Sequence, residues 1–240
     1  MSLIIGIDGP AASGKGTVTK RVAKILNLTH IDTGITYRCV ALETLNRNVN
    51  VGVADHSYPG TCGQVPLQIK QQLIQIAGEI NIEIESGEEV DRVLLNGVDV
   101  TEKIRSKEVT AIVSPISSIP EVRYKMVELQ RKLAVGKDVI VEGRDICTFV
   151  FPEAQVKIYL DASLEERAKR RYKESEENGI PTTYAEVLEN IKSRDYNDMH
   201  KEIGSLRVTN ESIIVDTTNL SIDQVVDRII EIIKNKMYDV

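Results

Sequence analysis

The chain has 240 residues, of which 42% are hydrophobic and 28% are charged. This composition is typical of a globular protein with one enlarged domain or a domain that carries insertions. Its formal net charge of −6 excludes a surface that attracts nucleic acid or anionic lipid as a whole. A phosphate-binding site therefore has to be built locally, from clustered Arg, Lys and backbone N–H groups.

The cysteines and the N-terminal residues indicate the cellular compartment of the protein. Cys39, Cys62 and Cys147 are an odd and widely spaced set, without the pattern of a disulfide framework or a zinc site. Residues 1–8 lack the basic and apolar regions of a signal peptide, and no apolar run is long enough to span a membrane. We therefore expect a cytoplasmic protein without a membrane or nucleic-acid partner, and we expect a monomer.

The first predicted element is a buried strand at residues 3–7, followed by a glycine-rich turn and a helix from about Gly14 to Leu26. Strand, glycine loop and helix are the opening of a βαβ unit. Three further β-branched runs have the same buried character, at residues 138–142, 156–160 and 212–216. The pattern predicts an α/β fold with three layers, in which helices cover both faces of a central parallel sheet.

The middle of the chain departs from this pattern. Residues 50–66 are rich in turn formers and predict a surface connection. Residues 80–85 alternate strictly between apolar and polar, and residues 92–97 form a second short run. Together they predict a small antiparallel sheet inserted into the α/β core. The polar residues 172–182 include a glycine and a proline and predict a mobile tip between two helices.

The turn after the first strand matches the phosphate-binding pattern G-x-x-x-x-G-K. Its residues are Gly9, Pro10, Ala11, Ala12, Ser13, Gly14, Lys15, Gly16 and Thr17. The glycines let backbone N–H groups converge on phosphate oxygens, and the N-terminus of the following helix favours an anion. We expect Lys15 to bridge the β- and γ-phosphates of ATP and to offset the charge that develops during transfer.

Magnesium is the expected companion of ATP. The usual Ser or Thr after the lysine is replaced by Gly16, with Thr17 one place later, so water is expected to complete the metal's ligands while Thr17 contacts phosphate. Glu142 ends an apolar run and is expected at the carboxyl edge of a strand, where an acid holds magnesium directly or through water. The alternative for Glu142 is a solvated carboxylate at the end of a strand.

Further segments resemble one family, the bacterial-type cytidylate kinases, which are P-loop nucleoside monophosphate kinases. The segments follow the family order over nearly the whole length: IDTGITYR (31–38), NGVDVTEKIRSKEV (96–109), VEGRD (141–145), DASLEERAKRR (161–171), RDYND (194–198) and VDTTNLSI (215–222). The resemblance implies a single domain over 1–240. Within it, a monophosphate-binding insert covers 33–118, a short lid covers 168–182, and the remainder is the P-loop core.

The resemblance also implies an activity, the transfer of the γ-phosphoryl group of MgATP to CMP and dCMP. The catalytic residues that it implies are Lys15, Arg38, Arg144 and Arg194. The residues implied to bind CMP are Thr33, Tyr37, Arg38, Ser114, Arg123, Arg144, Asp145, Arg194 and Lys201. Among these, Ser114, Arg123 and Asp145 match residues that read the cytosine ring. Several guanidinium groups suit the task, because two highly charged phosphates must approach each other.

The lid region is implied to bind ATP through Arg167 and Arg170, which share a helix face with Arg171. For Arg171 and Lys173 we favour ordinary i,i+4 ion pairing, with Glu165, Glu166 and Asp195 as the carboxylates. Two positions depart from the family pattern. Lys201 stands where the family usually has Arg, which keeps the charge but loses the bidentate fork, and Cys147 stands where a Gly is usual.

Other interpretations remain open, both for single residues and for the function of the protein. Taken alone, Ser114 precedes a proline and suits a turn, and Arg123 suits a solvated helix face. A P-loop kinase for uridylate, adenylate or a non-nucleotide alcohol is the competing enzyme. A GTPase-type switch is the competing class, although the chain contains no Asn-Lys-x-Asp motif for reading guanine.

Overall fold

Short β-branched runs alternate with helices along most of the chain in the computed structural model, which describes residues 2–51, 65–85, 87 and 91–238. In chain order the elements are β1 (Ile4–Asp8), α1 (Lys15–Leu26), β2 (Thr29–Asp32), α2 (Thr33–Asn46), α3 (Leu67–Glu79), β3 (Ile82–Glu85), β4 (Arg92–Leu95), β5 (Val98–Asp99), α4 (Lys107–Ser117), α5 (Pro120–Ala134), β6 (Val139–Gly143), β7 (Val156–Asp161), α6 (Leu164–Glu177), α7 (Tyr184–Met199), β8 (Ile213–Asp216) and α8 (Ile222–Tyr238). A 3₁₀ turn covers Lys103–Arg105, and a π-helical turn covers Ile146–Val150.

The chain divides into two compact units, and the first joins Met1–Ile31 to Ala134–Val240. Its sheet has the strand order β2-β6-β1-β7-β8. Strand β1 pairs in parallel with β6 and with β7, and β7 pairs in parallel with β8. Helices α1 and α8 contribute apolar side chains to the same core as the sheet. The predicted α/β fold with a central parallel sheet is therefore confirmed, and each of the four predicted strands is present within one residue.

Strand β2 is the one strand of this sheet that the sequence pattern misses. Its residues Thr29-His30-Ile31-Asp32 contain a single aliphatic side chain. The backbone N–H of Thr29 donates to the carbonyl of Asp138 at 2.9 Å, next to the start of β6. Tertiary pairing, rather than local propensity, therefore forms this strand.

The second unit, Asp32–Leu133, contains an antiparallel sheet of strands β3, β4 and β5, as the alternating pattern predicts. Asn96 and Gly97, which connect β4 to β5, have φ values of 51° and 79°, as a tight hairpin turn requires. Helices α2 to α5 and this sheet share one apolar core. Of the predicted surface connection 50–66, residues 52–64 lie outside the described residues, as does Cys62.

Helices α6 and α7 correct the predicted tip at 172–182. Helix α6 continues to Glu177, because the run Lys-Glu-Ser-Glu-Glu consists mainly of good helix formers. The connection begins only at Asn178, and Gly179 then takes φ +63°. Thr183 and Glu186 begin α7 with a reciprocal capping box, which satisfies the first free N–H groups of the helix. Within the part of the chain that is described, no helix has the length and apolar character needed to cross a bilayer.

Candidate active site

Two glycines shape the loop between β1 and α1. Gly9 has φ +155°, and a Cβ at this position would lie 2.1 Å from the carbonyl oxygen of Leu160, so a side chain does not fit. Gly14 caps α1 with φ +89°. The loop therefore ends at the N-terminus of a 12-residue helix, where free backbone N–H groups and the helix dipole favour an anion.

Lys15 is folded onto this loop. Its Nζ donates to the carbonyls of Gly9 at 2.7 Å and Pro10 at 2.8 Å, and to the hydroxyl of Ser13 at 3.2 Å. The side chain is buried. Burial, and after it the positive charge of Arg144, lowers the pKa of Lys15 well below its usual value. A group of this kind gains strongly from a polyanion, because the anion removes the electrostatic cost of keeping the ammonium charged.

Glu142 lies in β6 beside the loop. Its Oε1 accepts from the hydroxyl of Thr19 at 3.0 Å and lies 2.9 Å from Nε2 of His30. Burial alone would raise the pKa of Glu142, but the hydrogen bond and charge of His30, together with Lys15, hold it below its usual value. The alternative of a solvated strand-end carboxylate is therefore wrong, because the side chain is only 8% exposed.

The surroundings of Glu142 fit a magnesium site with few protein ligands. A Cβ on Gly16 would lie 3.5 Å from Oε1 and 3.8 Å from Oε2 of Glu142, so the carboxylate stands beside the position that usually carries the metal-binding hydroxyl. Among the described residues no group of three or more His, Cys, Asp or Glu side chains is placed to hold a metal ion. Magnesium commonly keeps several waters and uses one or two carboxylates together with substrate phosphates, which a single buried carboxylate allows.

A second charged cluster is centred on Asp198 of α7. Its Oδ2 accepts from Nε of Arg144 at 2.9 Å, and its Oδ1 accepts from Nζ of Lys201 at 2.8 Å. Arg194, one turn earlier on α7, adds a further positive charge to the carboxylate. Burial would raise the pKa of Asp198, but the charges of Lys201 and Arg144 lower it. Three of the predicted site cations, Arg144, Arg194 and Lys201, are thus brought together around one carboxylate.

The turn after β6 is fixed from the end of β1. Asp145 is buried and precedes the π-helical turn. The carboxylate of Asp8 accepts from the backbone N–H of Ile146 and of Cys147, both at 2.8 Å. Burial raises the pKa of Asp8 to about 6, against the lowering effect of these two bonds. The thiol of Cys147 occupies the space above Gly6, where a Cβ would lie 2.8 Å from its Sγ.

The arginines of α6 hold the glycine loop. Arg167 donates through Nη1 to the carbonyl of Ala11 at 3.1 Å and to Asp195 of α7 at 2.5 Å. Asp195 in turn accepts from the backbone N–H of Ala11 at 3.3 Å. Arg170 donates to the carbonyls of Ser13 at 3.4 Å and Thr217 at 2.7 Å. Both predicted ATP-binding arginines therefore contact the backbone of the loop.

Two other cations of α6 form exposed pairs within their own helix. Arg171 pairs with Glu174 at 2.8 Å, and Lys173 lies 3.8 Å from Glu177. The interpretation of both residues as ordinary ion-pair partners is confirmed, but the predicted carboxylates Glu165, Glu166 and Asp195 are wrong for these two cations. The carboxylates that they use, Glu174 and Glu177, lie three or four residues further along α6.

In the second unit, Arg38 and Arg123 both donate to neutral groups. Nη1 of Arg38 donates to the carbonyl of Ile104 and to the hydroxyl of Thr110, both at 3.0 Å. Nη1 of Arg123 donates to the carbonyl of Ser117 at 2.9 Å, and its guanidinium lies 5.4 Å from the ring centroid of Tyr37. Arg123 is only 2% exposed, so its interpretation as a solvated residue is wrong.

Two smaller predicted residues of this unit lie at the start of α2 and within α4. Thr33 is the first residue of α2, and its carbonyl accepts from the hydroxyl of Thr36 at 2.8 Å. Ser114 lies inside α4, which continues through Pro115 to Ser117. The interpretation of Ser114 as a turn residue is therefore wrong. Its carbonyl accepts from the hydroxyl of Ser118 at 2.9 Å, which helps to satisfy the backbone near a proline.

Residues that shape these clusters but are missing from the sequence-based set include Asp8, Thr19, His30 and Asp198. Asp8, Thr19 and His30 have partners far along the chain, 138, 123 and 112 residues away, so no local spacing connects them. Asp198 has a local signal, because it follows Arg194 by four residues and precedes Lys201 by three, a spacing that predicts one helix face, although α7 itself ends at Met199.

The comparisons with known proteins agree with the motifs. A family model described as cytidylate kinase matches residues 5–235. A cytidylate kinase of Caldicellulosiruptor saccharolyticus is 42% identical over 228 residues, which cover 95% of this chain and 94% of the relative. Another of Caldanaerobacter subterraneus subsp. tengcongensis is 41% identical, covering 98% and 96%. A third, of Fusobacterium nucleatum subsp. nucleatum, is 42% identical and covers 94% of each chain.

Proposed function

Because this chain belongs to the cytidylate kinase family, we propose that it transfers the γ-phosphoryl group of ATP to CMP, giving CDP and ADP. It is an ATP-dependent nucleoside monophosphate kinase. We extend the proposal to dCMP as a second acceptor and to Mg²⁺ as the metal that accompanies ATP. Cytoplasmic location and a monomeric state stay predictions, supported for the location by two buried free thiols, Cys39 and Cys147.

One observation supports the proposal most, the concentration of positive charge beside the glycine loop, where Lys15 is buried and Arg144 is half-buried. The Arg144 charge is close enough to Lys15 to lower the pKa of its ammonium, and Arg144 itself is joined to Lys201 and Arg194 through Asp198. Asp198 is one carboxylate among three cations, and a further anion is favourable beside such an excess of positive charge. Two phosphorylated substrates supply that anion, so the arrangement suits phosphoryl transfer between nucleotides.

The transfer that we propose is an in-line displacement. An oxygen of the CMP phosphate forms a bond to the γ-phosphorus, and the bond from this phosphorus to the bridging oxygen of ADP breaks, with its electron pair leaving on ADP. The attacking phosphate oxygen is already anionic, so no strong general base is needed. Lys15, Arg38, Arg144 and Arg194 hold the phosphates in line and offset the charge that accumulates between them.

ATP is assigned to the glycine loop from Gly9 to Thr17, with Arg167 and Arg170 behind it. Their contacts with the carbonyls of Ala11 and Ser13 support this assignment. Glu142 would hold magnesium, through water if the metal keeps its shell. When bound, magnesium supplies further charge neutralisation at the phosphate oxygens.

We assign CMP to the residues that the family resemblance implies. These are Thr33, Tyr37, Arg38, Ser114, Arg123, Arg144, Asp145, Arg194 and Lys201. The buried Asp145 carboxylate is suited to accept from the exocyclic amine of cytosine. The buried Arg123 guanidinium is suited to donate to the ring carbonyl. A buried polar set of this kind rejects a base that leaves one of its members unpaired.

A coupled ADP-release assay with each common ribo- and deoxyribonucleoside monophosphate tests the function. We expect ATP to be consumed with magnesium only when an acceptor is present, and CMP to have the highest kcat/KM. Preference for UMP or AMP would instead favour the competing interpretation, a P-loop kinase for another acceptor. Consumption of ATP or GTP without any acceptor would favour a nucleotide switch.

Asp145→Ala tests the assignment of the base. Removing a hydrogen bond to a charged acceptor should lower the CMP-over-UMP ratio of kcat/KM by about tenfold to hundredfold, with a smaller change in the KM for ATP. Asp145→Asn is the matched variant, since its amide can donate to the uracil carbonyl and should move the ratio further towards UMP. An unaltered ratio in both variants would remove Asp145 from the base-reading set.

A further inference from the structure

Asp8 is a buried carboxylate that the proposed reaction does not use. It ends β1 and is 1% exposed. Both of its oxygens are engaged, because Oδ1 accepts from the N–H of Ile146 and Oδ2 accepts from the N–H of Cys147, each at 2.8 Å. A single side chain therefore clamps two consecutive peptide groups of a segment 138 residues away.

The position of this clamp connects two functional segments. Asp8 directly precedes Gly9, whose carbonyl accepts from Nζ of Lys15. The clamped N–H groups directly follow Arg144 and Asp145. The backbone pairing of β1 with β6 extends only to Asp8 and Gly143, so beyond it the two Asp8 bonds tie the Arg144–Asp145 turn to the start of the glycine loop.

Burying the charged Asp8 carboxylate costs free energy, which indicates that the charge is needed at this position. Burial raises the pKa of Asp8 to about 6, and Asp145 adds repulsion, so a neutral residue would be easier to bury. The opposing contribution comes mainly from the two backbone hydrogen bonds, with a smaller one from the Cys147 side chain. A neutral amide cannot replace both bonds, because it has one acceptor oxygen and its NH₂ group would face the second N–H.

We propose that Asp8 is a positioning residue, which sets where Arg144 and Asp145 stand relative to the glycine loop and thereby contributes to CMP selection. This inference rests on the proposed assignment of Arg144 and Asp145 to the acceptor. Asp8 touches no reacting atom and acts through the turn that it clamps.

Asp8→Asn is the test, and Asp138→Asn is its matched control. Asp138 also accepts a backbone N–H between the same two strands, from Leu3 at 2.7 Å, but at their opposite, amino-terminal ends. For Asp8→Asn we expect kcat/KM for CMP to fall about tenfold to hundredfold, as loss of one hydrogen bond to a charged group predicts. The CMP-over-UMP ratio should fall with it, and the Kd of a non-hydrolysable ATP analogue should change less than about threefold. The control should stay within about twofold in all three measurements.

The outcomes separate positioning from a general structural role. Unchanged CMP kinetics and base preference in a folded Asp8→Asn protein would overturn the inference, while the proposed function would stand on the wild-type activity. An equal loss for ATP and CMP with base preference intact would assign Asp8 to the whole loop instead, and also overturn it. A wild-type protein that leaves CMP unphosphorylated would remove the proposed function itself.

Folding is checked by circular dichroism and thermal unfolding before kinetics. If Asp8→Asn does not fold, Asp8→Thr is measured, because threonine suits a strand and its hydroxyl can accept one of the two N–H groups. The same loss of base preference is expected. Failure of both variants to fold would show that Asp8 serves the stability of the fold, which also contradicts the inference.

Discussion

The two units fix their proposed site arginines in different ways. In the first, Arg144 and Arg167 pair with buried carboxylates, Asp198 and Asp195. In the second, Nη1 of Arg38 donates to a carbonyl and a hydroxyl, which hold that nitrogen in place. A neutral acceptor fixes the direction of a guanidinium and leaves its charge in place, whereas a carboxylate also offsets the charge. Orientation and charge compensation are therefore separate tasks, and substitutions can separate them.

The largest expected effect follows from removing a site cation of the first unit, the half-buried Arg144 or the buried Lys15. Arg144→Ala should lower kcat for CMP about a thousandfold, as loss of a phosphate clamp typically does, and Lys15→Ala should match it. Arg144→Ala also releases the Asp198 carboxylate, which would repel the acceptor phosphate. Arg38→Ala exposes the neutral Ile104 carbonyl and Thr110 hydroxyl, so we expect a smaller loss, about hundredfold. Steady-state kinetics with CMP measures all three.

Double variants test this difference between the units more directly. Adding Asp198→Asn to Arg144→Ala should recover part of the lost kcat, because the released negative charge is then gone. Thr110→Val added to Arg38→Ala is the control and should recover nothing. Equal losses for Arg144→Ala and Arg38→Ala, with no recovery in either double variant, would contradict the distinction between charged and neutral support.

The next effect is on stability. Asp198→Asn leaves Arg144 and Lys201 buried together without their shared carboxylate, and should lower the free energy of unfolding by about 3 kcal/mol at pH 7. The charges of Lys201 and Arg144 lower the pKa of Asp198 in the folded protein, so its contribution is present above the unfolded pKa of about 4 and is lost as the pH falls below it. Denaturant unfolding between pH 7 and pH 3 should show this part of the slope in the wild type and not in Asp198→Asn.

The smallest effect is expected on the exposed face of α6. Arg171→Ala breaks a pair with Glu174 whose two side chains are 41% and 56% exposed, and solvent screens such pairs. We expect kcat/KM for CMP to stay within about twofold and the unfolding midpoint to stay unchanged. A tenfold loss of activity would give Arg171 a role in nucleotide binding.

The sequence predicts those elements whose pattern lies within a short stretch of neighbouring residues. The buried strands are continuous β-branched runs, and the glycine loop carries its pattern within nine residues, so both follow from the sequence. The pattern does not predict strand β2, because its residues are mostly polar and its pairing partner lies in β6. It places the end of α6 too early, because polar helix formers resemble loop residues in composition.

The clusters around the loop depend on long-range pairing instead. Arg144 meets Asp198 across 54 positions, and Glu142 meets His30 across 112, so only the order of strands brings them together. Family resemblance supplies Arg144 and Asp145 as site residues without any account of what holds them. The structure adds that account through Asp8, Thr19, His30 and Asp198.

The thiol above Gly6 has a consequence for how this sequence can change. The Sγ of Cys147 and a Cβ on residue 6 would occupy the same space, 2.8 Å apart, with Ile146 at 3.1 Å behind them. The side chains at positions 6 and 147 therefore have to fit into one common space. A packed interior accepts neither an overlap nor a void without loss of stability. Among relatives, a larger residue at position 6 should accompany a smaller one at position 147, so that the two sites covary although 141 positions separate them.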